Sequence, residues 1–110
     1  MAQVVFTSNL GEALKATKEQ LQVAGLIIGG MAETYAKERC PVDTGRLRNS
    51  ITHTYDEDSK TVIIGSNVEY APYVELGTYH PKRDPRPYLK PAIEEHKDEY
   101  KEVLETELKG

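Results

Sequence analysis

Tryptophan is absent from this 110-residue chain, and phenylalanine and cysteine occur once each. A single cysteine excludes an intramolecular disulfide and a multi-thiolate zinc site, so nothing in the sequence calls for an oxidising compartment. The core has to be aliphatic, with seven tyrosines as its main aromatic supplement. Long hydrophobic runs are missing too. The longest nearly apolar stretch, Val23 to Ala32, falls well short of the about 20 residues that span a bilayer, and Met1 to Phe6 lack the charged start and apolar run of a signal peptide. No membrane segment and no export by a cleaved signal are expected. Positive charge is not in excess: 14 basic side chains face 18 acidic ones, a net charge of -4, which argues against bulk nucleic-acid binding while leaving room for a local basic patch.

What is present reads as one α+β domain covering residues 1–110. Its parts are a long N-terminal helix, a small antiparallel sheet built on a β-hairpin, a Pro-rich loop and a C-terminal amphipathic helix. Asn9 and Glu12 have the spacing of a capping box, which predicts a helix from about Leu10 to Cys40. Leu10, Leu14, Thr17, Leu21, Ala24, Ile28, Met31 and Tyr35 share one of its faces. Around Val23 to Ala32 a second apolar face appears, and Gly25, Gly29 and Gly30 remove side chains. A rod from 10 to 38 is about 43 Å long, longer than the globule it serves. Either the helix bends at Gly29-Gly30, or part of it packs on another subunit, with Gly25, Leu26, Ile27, Gly29 and Gly30 as the candidate packing residues.

Asn49 to Tyr55 and Lys60 to Ser66 alternate like strands around the polar turn Asp56-Glu57-Asp58-Ser59. Tyr70, Tyr73, Val74 and Leu76 fit a short helical turn with Pro72 near its start and Gly77 at its end. Residues 78–87 hold Pro81, Pro85 and Pro87 and are expected to be irregular. Pro91 opens the last helix, whose inner stripe is Leu89, Ile93, His96, Tyr100, Leu104 and Leu108.

Chemistry is sparse. His53, His80 and His96 lie in no metal-ligand spacing. Cys40 has no evident base, and no Gly-rich phosphate loop or nucleophile elbow exists. No catalytic residue, cofactor or metal is expected. Two other segments stand out. Between Pro41 and Ile51 a turn forms in which Asp43 accepts amide hydrogen bonds and Gly45 takes positive φ, so that Leu47 enters the core while Arg46 and Arg48 point away. Thr78 to Lys90 carries Lys82, Arg83, Arg86 and Lys90 against Asp84, interleaved with Tyr79, His80 and Tyr88. Arginine and tyrosine favour contact surfaces, which makes Arg46, Arg48, Tyr79, His80, Lys82, Arg83 and Arg86 the candidate partner interface.

Three ordered segments, Cys40 to Ile51 (CPVDTGRLRNSI), Val68 to Thr78 (VEYAPYVELGT) and Arg86 to Ala92 (RPYLKPA), resemble the signatures of the head-to-tail joining or tail-completion proteins of tailed bacteriophages. These minor tail or neck components are similar in role to the lambda tail-completion protein Z. Cys40 departs from the small residue expected at that position. The resemblance implies a structural, non-enzymatic virion protein, assembled in the host cytoplasm. It would sit as a ring of copies around the DNA channel and contact tail-tube, tail-terminator, head-closure or portal proteins, with DNA passing through without specific binding. A ring needs unlike surfaces on each copy. Two alternatives from other classes are a nucleic-acid-binding module using Arg46, Arg48, Lys82, Arg83 and Arg86, and a small hydrolase using Cys40 or a histidine.

Overall fold

In the computed structural model the described residues are 4–9, 17–40, 45–79 and 82–109, with side chains for 17–40, 45–78 and 82–107. Strand β1 (Val4–Asn9) is followed by helix α1 (Lys18–Arg39), the short α2 (Arg46–Ser50) and the hairpin strands β2 (Thr52–Asp56) and β3 (Thr61–Ser66). Then come α3 (Ala71–Leu76), a two-residue ladder β4 (Thr78–Tyr79) with β5 (Lys82–Arg83), and helices α4 (Leu89–Glu94) and α5 (Lys97–Lys109). The architecture is α+β, as expected.

The sheet is larger than the hairpin. Its strand order is β1-β3-β2, all antiparallel, with Val4 opposite Ser66 and Asn9 opposite Thr61. Asn9 therefore ends a strand, and α1 begins at Lys18 and not near Leu10; Glu12 lies outside the described residues. The capping box that starts α1 is Thr17 with Gln20: the Thr17 hydroxyl accepts from the Gln20 amide at 3.1 Å, and the Gln20 side chain accepts from the Thr17 amide at 2.9 Å. Both pairs share the same spacing, and the β-branched Val4-Val5-Phe6-Thr7 run favours a strand over a helical approach. Leu10 and Leu14 lie outside the described residues.

With 22 residues, α1 is about 33 Å long in a molecule whose extents are 50 × 24 × 22 Å, so the length mismatch behind the bend-or-neighbour alternative disappears. The helix continues unbroken through Gly29 and Gly30. Its buried stripe is Leu21, Ala24, Ile28, Ala32 and Ala36, packed on Val62 and Ile64 of β3, Ile51, and Leu89, Ile93 and Tyr100 of the C-terminal helices. Gly25 and Gly29 have a different reason. A Cβ at Gly25 would run into the Tyr55 ring, and one at Gly29 would lie 2.6 Å from His53 Cδ2. The glycines let β2 lie close against α1.

Three boundaries differ from the expected ones. Asn49 and Ser50 belong to α2, not to a strand, because Gly45 at φ +81° turns the chain into a helical turn closed by Asn49 N donating to Gly45 O at 2.9 Å. Thr78–Tyr79 and Lys82–Arg83 pair as a short ladder, none of whose four residues is a proline; Pro85 and Pro87 follow it. The last helix is two helices: α4 begins at Leu89, two residues before Pro91, and the chain breaks at Glu95-His96. His96 at that break stacks on Tyr35 of α1, ring centroids 3.6 Å apart, and the Tyr100 hydroxyl donates to Ala92 O across it.

Candidate partner-docking site

The short helix α3 starts with Pro72 in its first turn and stops at Gly77, whose φ of +77° no β-carbon tolerates cheaply. A Cβ there would also meet Arg83 O at 2.6 Å and the Pro85 nitrogen at 2.9 Å. The hairpin thus folds back onto the end of α3. The expected short helical turn forms, with Tyr73 and Leu76 exposed and Ala71 and Glu75 its buried residues.

Glu75 is the main feature that sequence reasoning missed. Only 3% of it is exposed. Its Oε1 accepts from the amides of Tyr88 and Leu89, each at 2.9 Å, and Oε2 accepts from Lys90 N at 3.2 Å. One carboxylate satisfies three donors where α4 begins, the groups a helix start leaves without partners. The available signal was weak: Glu75 stands thirteen residues before Tyr88, and Asp84 is nearer in sequence to the helix start. A second tie is Arg86 N donating to Val74 O at 2.8 Å.

These ties fix the intervening segment, and a groove of about 710 Å³ opens between Tyr70, Tyr73 and Val74 on one side and Lys82, Arg83, Asp84 and Arg86 on the other. The structure therefore brings Lys82, Arg83 and Arg86 together, all exposed. The side chain of Tyr79, and His80 entirely, lie outside the described residues.

Arg46 is engaged elsewhere. Its Nη1 and Nη2 donate to Glu69 Oε1 and Oε2 at 3.0 and 2.9 Å, and its guanidinium carbon lies 5.5 Å from the centre of the Tyr70 ring. The hydrogen bond to Glu69 raises Arg46 above its ordinary range, and the one to Arg46 lowers Glu69 below its own. Much of the charge of Arg46 is spent inside the chain. Arg48 is exposed on the same turn with Leu47 buried between them. Gly45 has the expected positive φ, and Asp43 lies outside the described residues.

The candidate subunit-packing group divides. Gly25 and Gly29 face β2 of their own chain, whereas Leu26 and Ile27 are exposed and a Cβ at Gly30 would meet open space. Cys40 is buried, and burial pushes its thiol up, which favours the neutral form. His53 pairs with Glu33 at 3.0 Å and His96 with Glu99 at 3.4 Å. Among the described residues no cluster of three or more His, Cys, Asp or Glu is placed to hold a metal ion, and no helix is long and apolar enough to cross a membrane.

The chain was compared with known proteins at three levels. No curated protein and no solved structure matches it. A family model described as "Bacteriophage HK97-gp10, putative tail-component" matches residues 5–77. The match runs from β1 through Gly77 and takes in the sheet, α1, the Gly45 turn and α3, while the Arg86 to Ala92 signature and the C-terminal helices lie beyond it. Covering about two thirds of the chain, it shows that this protein belongs to the HK97-gp10-like family of bacteriophage tail components.

Proposed function

We propose that this tail component completes the tail or neck and makes it competent to join a DNA-filled head, acting as one copy in a ring around the DNA channel. The observation that carries the reading is the groove beside α3, whose basic wall is fastened to the core by the buried carboxylate of Glu75. A loop held in shape before it meets a partner loses less entropy on docking. That suits a protein whose work is contact with tail-tube, tail-terminator, head-closure or portal subunits. The three-signature resemblance supports the joining role in particular. A net charge of -4 offers few phosphate contacts and suits passage of DNA through a lumen without retention.

The test is deletion of the gene from the phage or prophage that carries it. The expected result under the electron microscope is an accumulation of filled heads and unattached tails, restored to joined particles by a plasmid copy. Infectious, joined particles made without the protein would overturn the proposal.

The cluster of Lys82, Arg83 and Arg86 supports one other reading, a nucleic-acid-binding module. It predicts duplex affinity that falls steeply with salt. A flat titration at low salt removes it.

A further inference from the structure

Among the described residues five large apolar side chains are exposed, and they fall into two groups. Tyr73 and Leu76, 58% and 69% exposed, stand on α3 next to the basic wall formed by Lys82, Arg83 and Arg86. Val23, Leu26 and Ile27, 46%, 50% and 41% exposed, lie on α1, which packs along α5. The outer surface of α5 is net acidic, with Lys101 set among its carboxylates. Asp98, Glu102 and Glu105 recur at four and three residues, which places them on one face, and all three are exposed. The buried face of α5 is the opposite one, with Tyr100 in the core and Val103 and Leu104 packed against it.

The basic wall thus adjoins one apolar patch, while α5, whose outer face is net acidic, packs along the helix that carries the other. We infer that the α3 and β4–β5 surface of one copy docks on the α1 and α5 surface of the next, so that Lys82, Arg83 and Arg86 meet Asp98, Glu102 and Glu105. Because the two surfaces are unlike, the contact is heterologous. Repetition closes a ring or continues as a filament, and does not stop at a two-fold dimer. A second copy fits the groove better than a nucleic acid does. The groove wall carries Asp84 as well as cations, and the exposed Tyr73 and Leu76 on α3 need apolar cover that a duplex backbone does not give. This inference rests on the ring subunit reading above and names its contact.

Charge reversal tests it on the purified full chain. One variant carries Lys82→Glu and Arg83→Glu, the other Asp98→Lys and Glu102→Lys. All four positions are exposed, and circular dichroism melts confirm that both variants fold. Each variant alone presents like charge on both surfaces and is expected to sediment as a monomer at low salt. Mixed in equal amounts, the two present opposite charges at every contact and are expected to form species larger than a monomer, which dissolve as salt rises. A mixture that stays monomeric overturns the inference. So does loss of duplex DNA binding by the first variant when the mixture does not associate, since the basic wall is then a nucleic-acid surface. Particle assembly gives an independent readout. Either variant alone should lower the yield of joined particles on the order of tenfold, and the four-residue combination in one chain should restore it. If the deletion leaves head joining intact while the mixture still associates, the contact stands and the joining role falls. If joining needs the protein but the mixture remains monomeric, the reverse holds.

Discussion

The two halves of this molecule are held by different forces. Where α1 crosses the sheet, stability comes from close apolar packing: Leu21, Ile28 and Ala32 share one core cluster with Val62 and Ile64, and two glycines admit the strand β2. Where α3, the β4–β5 ladder and α4 meet, the chain is tied by polar bonds through one buried carboxylate and a few backbone contacts. Packing distributes its loss over many neighbours, whereas the polar tie concentrates it in one side chain. The first half should therefore degrade gradually under substitution and the second abruptly.

Glu75→Ala is the strongest test of that contrast. It strands three amides at the start of α4, and the expected loss is about 3 kcal/mol or more, read from denaturant unfolding. Glu75→Gln keeps one acceptor and should lose less. A loss below about 1 kcal/mol for Glu75→Ala would show that water satisfies the amides and that the polar tie is weak.

Next in size is the glycine pair on the packing side. Gly29→Ala forces the His53 ring aside and should cost about 1–3 kcal/mol, while Gly30→Ala, one residue away but facing open space, should gain up to about 1 kcal/mol from helix propensity. Equal effects at the two positions would show that both glycines serve the helix and not its approach to the sheet.

Smaller effects separate two tyrosines, both buried. Tyr100 donates its hydroxyl to Ala92 O, whereas the buried Tyr88 hydroxyl has no hydrogen-bond partner among the described residues. Burial raises both above the ordinary tyrosine range. Thermal melts should show Tyr100→Phe losing about 1 kcal/mol and Tyr88→Phe unchanged or slightly more stable, since the latter removes a desolvated group that has no bond to lose. The smallest effect is one of pH. Burial pushes Glu33 up, but hydrogen bonds from His53 and Lys37 outweigh it and leave its carboxyl below the ordinary value. A depressed carboxyl contributes stability above its unfolded pKa of about 4.3 and loses it as pH falls through the folded value. Glu33→Gln should flatten the acid limb of the stability profile slightly.

Legibility in the sequence divides along the same line. The Leu21-Ala24-Ile28 stripe, the β2–β3 hairpin, the Gly45 turn and the Pro72 to Gly77 helix follow from periodicity and from residues with few backbone options, and all can be read from the chain. Strand β1 was hidden because Asn9-x-x-Glu12 imitates the Thr17-x-x-Gln20 capping box that the helix uses. Gly25 and Gly29 were visible as unusual, yet their cause lies across space in Tyr55 and His53, which local spacing cannot supply. Glu75 was hidden because a glutamate on a short helix ordinarily faces water, and only the return of the chain at Tyr88 puts three amides beside it. For the candidate site, Lys82, Arg83 and Arg86 could be picked out by charge, but the engagement of Arg46 by Glu69 could not.

The Glu75 tie exists only in the folded chain, so it leaves the unfolded chain's freedom untouched and must overcome the entropy of closing its loop. By joining residue 75 to residue 88 it closes a loop of 13 residues, and restricting the ends of such a segment carries an entropy of about 2 kcal/mol on the logarithmic scale that governs loop closure. A disulfide across the same loop would instead restrict the unfolded chain. In a chain with a single thiol the loop closes by folding alone, reopens whenever α4 unwinds, and needs no oxidant to form.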